Sequence, residues 1–91
     1  MDGVKVERLL SAEQLDELGI NRWAISTCPR SEFIWICDEP ETSYIMEGRA
    51  KIITESGRTI NLKPGRLLHC PAGSICSWIV LEDLKRRFIM G

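Results

Sequence analysis

Four cysteines and one histidine are the residues of this sequence whose types best suit metal binding or nucleophilic chemistry. The intervals between successive cysteines are nine, thirty-three and six residues, and they join Cys28, Cys37, Cys70 and Cys76. No Cys-x-x-C pair is present, so a zinc ribbon or a thioredoxin-like redox site is not expected. We instead predict free thiols that pack in the core as small hydrophobes.

The single histidine, His69, precedes Cys70 and Pro71. Successive side chains of a strand point to opposite faces, so only one of His69 and Cys70 can line an interior. Imidazole can act as an acid, a base or a metal ligand. One isolated histidine on a strand is, however, more often a surface residue or a hydrogen-bonded core residue, and we expect such a structural role for His69.

Aromatic and basic residues offer a second kind of chemistry, the binding of a flat or anionic ligand. Trp35 shares the alternation of Cys37, and Trp78 shares that of Cys76, so both indoles are predicted to project inward. There they could stack on a flat ligand or simply fill space. The basic run 85–87 could hold an anion, but on a terminal strand it is typical of a solvated edge that discourages aggregation.

Composition argues against several functions. The chain has 91 residues, of which 12 are Lys or Arg and 13 are Asp or Glu, so its net charge is −1. This balance lacks the electropositive field of nucleic-acid-binding proteins. The longest apolar runs, 33–37 and 78–81, are far shorter than the ~20 residues of a membrane span. Residues 1–5 do not resemble a signal peptide, so we predict a cytoplasmic protein, or a plastid protein if a transit peptide was removed.

The elements that must position these residues are predicted to be almost all strands. Val4–Arg8 alternates, and Ser11 with Gln14 forms a capping box for one short helix that ends at Gly19. Further strands are predicted at 32–37, 42–47, 49–54, 58–62, 66–70, 75–81 and 84–90. Turn signals about every 8–12 residues favour an antiparallel sandwich or barrel.

Two details of this strand prediction concern how the sheet is covered and connected. In 32–37 both faces are apolar, which indicates a strand that is covered on both sides. Gly48 is predicted to turn the chain between the strands that flank it.

Two motifs of this sequence resemble those of the cupin family. The pattern Gly-x5-Pro-x-Gly-x2 begins at Gly65 and leads to Cys76, where the family has a histidine. The pattern Glu-x6-Gly runs from Glu41 to Gly48. With the strings 41–48 and 71–78, the resemblance extends from about residue 4 to residue 90. It is to small single-domain cupins related to the ureidoglycine aminohydrolases and the ethanolamine-utilisation Q-type proteins.

This resemblance implies an all-β fold, a single antiparallel cupin β-barrel of the jelly-roll type with one short N-terminal helix. Residues 1–91 would form one cupin domain, with the barrel core at about residues 22–90.

The resemblance also implies where a metal would bind. The family's ligand positions fall on Trp35, Cys37, Glu41 and Cys76. An indole cannot ligate a metal because its N–H only donates, whereas two thiolates and a carboxylate could bind Zn²⁺ more readily than Fe or Mn. Cys37, Glu41 and Cys76 are therefore candidate metal ligands, with a dry barrel core as the alternative for both thiols. The cofactor is then one divalent metal or none.

Glu41 is the candidate catalytic residue. A carboxylate that points into an apolar barrel would have a raised pKa and could act as a general base. The alternative is a solvated loop end in the acidic segment 38–41.

Three functions are compatible with these residues, and whether the protein is an enzyme stays open. The first is binding of a small polar molecule in the barrel mouth, at Trp35, Tyr44 and Trp78, beside an eroded metal site. The second is a small metal-dependent hydrolase similar to ureidoglycine aminohydrolase, and the third is a filled structural or interaction barrel. We also predict a homodimer that pairs through sheet edges, because the short strand Val4–Arg8 needs a partner edge.

Overall fold

The computed structural model describes residues 2–8 and 11–91. Its elements in chain order are β1 (Lys5–Arg8), α1 (Ala12–Leu18), a 3₁₀ turn (Ile20–Arg22), β2 (Ala24–Cys28), β3 (Ser31–Ile36), β4 (Glu41–Thr54), β5 (Thr59–Leu62), β6 (Arg66–Cys70) and β7 (Ile75–Met90).

Helix α1 begins and ends as its sequence predicts. The backbone N–H of Gln14 donates to Ser11 Oγ at 3.2 Å, and the backbone N–H of Ser11 donates to Gln14 Oε1 at 3.2 Å. This reciprocal pair satisfies two N–H groups that the first turn leaves without partners. Gly19 follows the helix with a φ of 70°, the left-handed conformation that glycine adopts without strain.

Antiparallel pairing among the described residues joins seven strands in one sheet that rolls into a barrel. The order along the sheet is β1-β6-β4-β7-β2, with β3 also paired to β7 and β5 to β4. The antiparallel β-barrel with one short helix is therefore confirmed. Strand β1 pairs with β6 of the same chain and stands at the end of the strand order, so a homodimer through this sheet edge stays a prediction.

Strands β4 and β7 are each longer than predicted, and they are central to the barrel. The prediction of a turn at Gly48 is wrong, because β4 runs through it as one strand of 14 residues. Gly48 has a φ of 89°, and a Cβ there would lie 2.3 Å from the backbone oxygen of Asp83 on β7. The pairing register shifts repeatedly between Ile45 and Ala50, and such bulges bend a long strand around a barrel.

Strand β7 likewise joins the two segments that the sequence separates at 82–83. Long curved strands allow one element to reach both ends of the barrel, and β7 pairs with β2, β3 and β4 along its length. Side chains of one alternation phase of each strand meet in the interior. The buried cluster consists of Val4, Cys37, Ile45, Ala50, Ile52, Ile60, Leu62, Leu68, Cys70, Cys76, Trp78, Val80 and Leu84.

The outer face of β3 departs from the prediction of a strand that is covered on both sides. Ile34 is 71% exposed and Ile36 is 57% exposed, whereas Trp35 packs against the interior cluster. No second layer of the described chain covers this face, so an apolar pattern on both faces did not mean burial on both. Within residues 2–8 and 11–91, no helix is long and apolar enough to cross a membrane.

Candidate functional site

A cavity of about 290 Å³ opens at the barrel mouth between β2, β3 and β7. Its volume is at the lower limit of the range of small-molecule sites. The lining combines three aromatic rings, a guanidinium, the Ser26 hydroxyl, a thiol and a leucine with part of Thr27, and its residues are Phe33, Trp35, Trp78, Arg86, Ser26, Thr27, Cys28 and Leu84.

The strand register explains why these side chains meet. Phe33 pairs with Trp78 across β3 and β7, and Ser26 pairs with Arg86 across β2 and β7. Directly opposite residues of an antiparallel pair lie on the same face, so β7 carries both partners inward. The Trp35 and Trp78 rings then meet edge to face at 5.2 Å, which confirms that both indoles project inward.

Arg86 is the charged residue of the cavity, and its guanidinium is held from several sides. It lies 5.1 Å from the centre of the Trp35 ring and 4.8 Å from that of Phe88, distances at which a cation is attracted to an aromatic face. Its Nη1 donates to Glu41 Oε1 and, at 2.7 Å, to Ser43 Oγ. In the described chain its Nε and Nη2 donate to no residue.

The sequence prediction of a solvated edge at 85–87 is wrong for Arg86, whose side chain is only 15% exposed. The signal that could have found it is alternation, because Arg86 has the same phase as Leu84 and Phe88. A single charge between two apolar residues of one strand face must enter the interior with them if the strand stays regular.

Glu41 lies inside the barrel and is almost fully buried. It accepts from Arg86 and, at 3.3 Å, from Ser43 Oγ, so the structure favours the inward orientation over the solvated loop end. Its surroundings are not apolar as expected, because the Arg86 guanidinium binds its carboxylate. A role of Glu41 as a general base stays a prediction.

The buried thiols surround the same end of the core. Burial is the main cause that raises the pKa of Cys37, Cys70 and Cys76, and the neighbouring Glu41 carboxylate adds to the rise at Cys37. All four cysteines are free, as predicted, with Cys28 half-buried at the mouth. Raised thiol pKa values oppose thiolate formation, and the thiolate is the form that binds metals.

The four family ligand positions all belong to the interior, but they do not form one open pocket. Trp35 lines the mouth cavity, whereas Cys37, Glu41 and Cys76 are packed in the core below it. Among the residues that the structure describes, no group of three or more His, Cys, Asp or Glu side chains is arranged to hold a metal ion. As arranged here, this set does not fit a divalent metal, and metal ligation by Cys37, Glu41 and Cys76 stays a prediction for metal analysis.

Tyr44 and His69 are not at the mouth. Tyr44 pairs with Arg87 and with Leu67 and has the phase opposite to Glu41, so the structure does not bring it to Trp35 and Trp78. His69 is a half-exposed strand residue, whose Nδ1 lies 3.2 Å from Thr42 Oγ1, while Cys70 enters the core.

Comparison with known proteins agrees with the barrel fold. A model of the EutQ-like cupin domain matches residues 15–88. A DUF861-family protein from Thermotoga maritima is 36% identical over 97% of this chain and 99% of its own, with a TM-score of 0.91. No curated protein matches the chain.

Two ethanolamine-utilisation proteins share the fold at lower identity. The EutQ protein of Clostridium difficile is 22% identical, over 96% of this chain and 66% of its own, with a TM-score of 0.64. The protein described as EutQ from Salmonella typhimurium is 18% identical, over 96% and 68%, with a TM-score of 0.65.

Proposed function

Since this chain belongs to the EutQ-like cupin family, we propose that its barrel mouth binds a small polar molecule that carries a carboxylate. The observation that carries this proposal is the state of Arg86. Its guanidinium is fixed by Glu41 and Ser43 through Nη1, while Nε and Nη2 have no acceptor in the described chain. Guanidinium N–H groups form a planar fork whose geometry matches the two oxygens of a carboxylate.

Arg86 is well placed to bind an anion because it is already ordered. Rings on two sides and an ion pair hold it, so little side-chain entropy would be lost on binding. The cavity lining contains no Asp or Glu side chain among its described residues. Since Glu41 already offsets much of the positive charge, we expect an affinity of about micromolar rather than nanomolar.

The cavity also limits the size and shape of the ligand. Its volume of about 290 Å³ equals roughly ten water volumes, so a ligand of about ten non-hydrogen atoms would fill it. Phe33, Trp35 and Trp78 present aromatic surface that favours a flat body. The hydroxyl of Ser26, which is on the same sheet face as Arg86, can bond a second polar group. A small aromatic or conjugated acid has all these properties.

The alternatives have less support from the site. A metal-dependent hydrolase similar to ureidoglycine aminohydrolase would need a free carboxylate and ionised thiols. Glu41 is bound to Arg86, and burial raises the pKa of Cys37 and Cys76. A filled structural barrel would have no mouth cavity. The ligand site needs only one chain, so the predicted homodimer is a separate question.

A melting experiment with matched acids and amides tests this proposal. Benzoate and similar small acids should raise the Tm, whereas benzamide and other neutral isosteres should not. At about a hundred times Kd the stabilisation is about 2.7 kcal/mol, which for a domain of this size raises the Tm by roughly 10 °C or more.

The decisive variant is Arg86→Lys, which keeps the charge but removes the fork, and it should weaken binding about tenfold or more. The matched control is Arg87→Lys, because Arg87 donates to the backbone oxygens of Asn21 and Trp23 instead. A panel of acids that leaves the Tm unchanged would refute the proposal. Stoichiometric zinc that is lost in Cys76→Ala would instead support the hydrolase.

A further inference from the structure

The outer face of the sheet formed by β3, β7 and β4 is unusually apolar. Beside Ile34 and Ile36, it exposes Ile75 by 42% and Ile53 by 37%, and Ile79 on β7 is half-buried at one end of it. We call these five residues the isoleucine face. No part of the described chain forms a second layer over Ile34 or Ile36.

The isoleucine face is contiguous because its members are neighbours in the pairing register. Ile36 lies beside Ile75, and Ile34 and Ile53 lie on either side of Ser77. Three strands spaced about 4.8 Å apart and five residues of about 3.4 Å each give an area of roughly 250 Å² before side-chain relief. Apolar patches of this size on a soluble chain are often interaction sites.

Two side chains of opposite charge flank the isoleucine face at the register position of Ile79. Glu32 on β3 and Lys51 on β4 lie on either side of Ile79, and both are exposed. A two-fold axis that runs along β7 would place Glu32 over Lys51 of a second copy, and Ile34 over Ile53 of that copy. The face is therefore complementary to itself in charge and in apolar surface, as an isologous dimer interface requires.

We propose that the isoleucine face is the interface of a homodimer in which two sheets pack face to face around an axis along β7. Aligned sheets pack in this way about 10 Å apart. Two copies would bury roughly 500 Å² in total, well below the ~1,200 Å² of the smallest standard interfaces, so a weak dimer with a dissociation constant of about 100 μM or more is expected. This proposal does not depend on the ligand site, which lies on the opposite face of β3.

Sedimentation of the full chain over a wide concentration range tests the proposal. The wild type should pass from monomer to dimer as concentration rises. Ile34→Glu should remain monomeric, because a buried carboxylate without a partner opposes association. Ile25→Glu is the matched control, since Ile25 is 50% exposed but lies on β2, outside the isoleucine face. This control should dimerise like the wild type.

A charge exchange tests the axis itself. Glu32→Lys and Lys51→Glu should each weaken the dimer by roughly tenfold, because a two-fold dimer contains the pair twice. The double variant should restore wild-type association, and equal melting curves would show that all variants fold. A wild type that stays monomeric, an Ile34→Glu chain that still dimerises, or a double variant without recovery would each overturn the proposal.

Discussion

At the scale of single residues, the account depends on one buried cation and the groups that hold it. Arg86, Glu41 and Ser43 bond one another inside the barrel. The desolvation of such a pair is costly, so its members depend on one another more than surface partners do. The hydroxyl of Ser43 donates to Glu41 and accepts from Arg86, and it thereby fixes the rotamer of both.

Removal of the Glu41 carboxylate should therefore strongly destabilise the folded protein. We expect Glu41→Ala to lower the free energy of unfolding by about 3 kcal/mol, because Arg86 would remain largely buried without a counter-charge. Urea unfolding measures this. The control is Glu47→Ala, which removes an exposed partner of Lys85 at 3.6 Å on the same two strands and should cost less than about 1 kcal/mol. Equal losses in the two variants would contradict the role of Arg86 as a buried cation.

The buried thiols predict a loss of stability in alkaline solution. Burial raises the pKa of Cys37, Cys70 and Cys76 in the folded chain, whereas in the unfolded chain a thiol ionises at about pH 8.5. Above that pH the folded state retains more protons than the unfolded state, so the free energy of unfolding falls as pH rises. Below about pH 8 these thiols are protonated in both states and contribute no slope.

Unfolding curves measured from neutral to alkaline pH test this sign. Cys70→Ala should reduce the alkaline slope, whereas Leu68→Ala, which removes a buried side chain without an ionisable group, should leave the slope unchanged. An unchanged slope in Cys70→Ala would show that other groups, such as lysines, cause the alkaline loss.

At the scale of elements, the sequence predicted most of the strand segments and where most turns fall. Period-two alternation and the Pro-Gly and Ser-Gly signals located these strands, and the capping box located the helix, but neither strand β2 as a bounded segment nor the order of the strands in the sheet was predicted. The connection between segments was less predictable. Gly48 and Glu82–Asp83 have the composition of turns, yet each lies inside a long strand. A glycine with positive φ occurs in a bulge as well as in a turn, and only the partner strand decides between them.

Gly48→Ala should therefore be far more damaging than alanine at an ordinary turn glycine. Its Cβ would overlap the backbone of Asp83 at 2.3 Å, and a left-handed alanine is itself strained. We expect a loss of about 3 kcal/mol or more in thermal or urea unfolding. The matched control is Gly57→Ala, since Gly57 has a φ of 85° but open space around it, with an expected loss of about 1 kcal/mol. Similar losses would mean that the close approach of β4 and β7 is not tight.

The candidate site was predicted only in part, because local patterns do not reveal contacts between distant strands. Alternation placed Trp35 and Trp78 inward, and the structure agrees. The family resemblance supplied Glu41, with an inward carboxylate and a solvated loop end as alternatives, and the structure favours the inward one. The alternation phase of Arg86 also points inward. The prediction of a solvated edge instead relied on composition, because three neighbouring charges usually mark such an edge. The Glu41 partner that makes the interior position acceptable lies 45 residues away in sequence, and no local pattern connects the two.

At the scale of the whole molecule, the two proposed sites lie on opposite faces of one strand pair. The inner face of β3 and β7 lines the mouth, and the outer face is the isoleucine face. The N-terminal strand is fastened within its own chain, because Asp2 accepts from Ser56 Oγ at 2.5 Å and from Arg58 Nη2 at 2.9 Å. The hydrogen bond from Ser56, more than the charge of Arg58, lowers the pKa of Asp2 well below its usual range.

Strand β1 nevertheless stands at the end of the described strand order, so its sheet edge and the isoleucine face are two separate candidate sites of self-association. The sequence alone suggested only the edge, because the exposure of the isoleucine face depends on which strands and layers surround it. Deletion of residues 1–8 should therefore leave association through the isoleucine face intact, provided that the shortened chain still folds. Sedimentation of that variant beside Ile34→Glu would separate the two modes.

The most direct test of the central claim observes the guanidinium of Arg86 during titration with a small aromatic acid. In a ¹⁵N correlation spectrum the Nε–H signal of Arg86 should move as benzoate is added, because this N–H gains an acceptor. The Nε–H signal of Arg87, on the opposite face of β7, should stay in place, and benzamide should move neither. An Arg86 signal that remains fixed at saturating acid would contradict a carboxylate site at the barrel mouth.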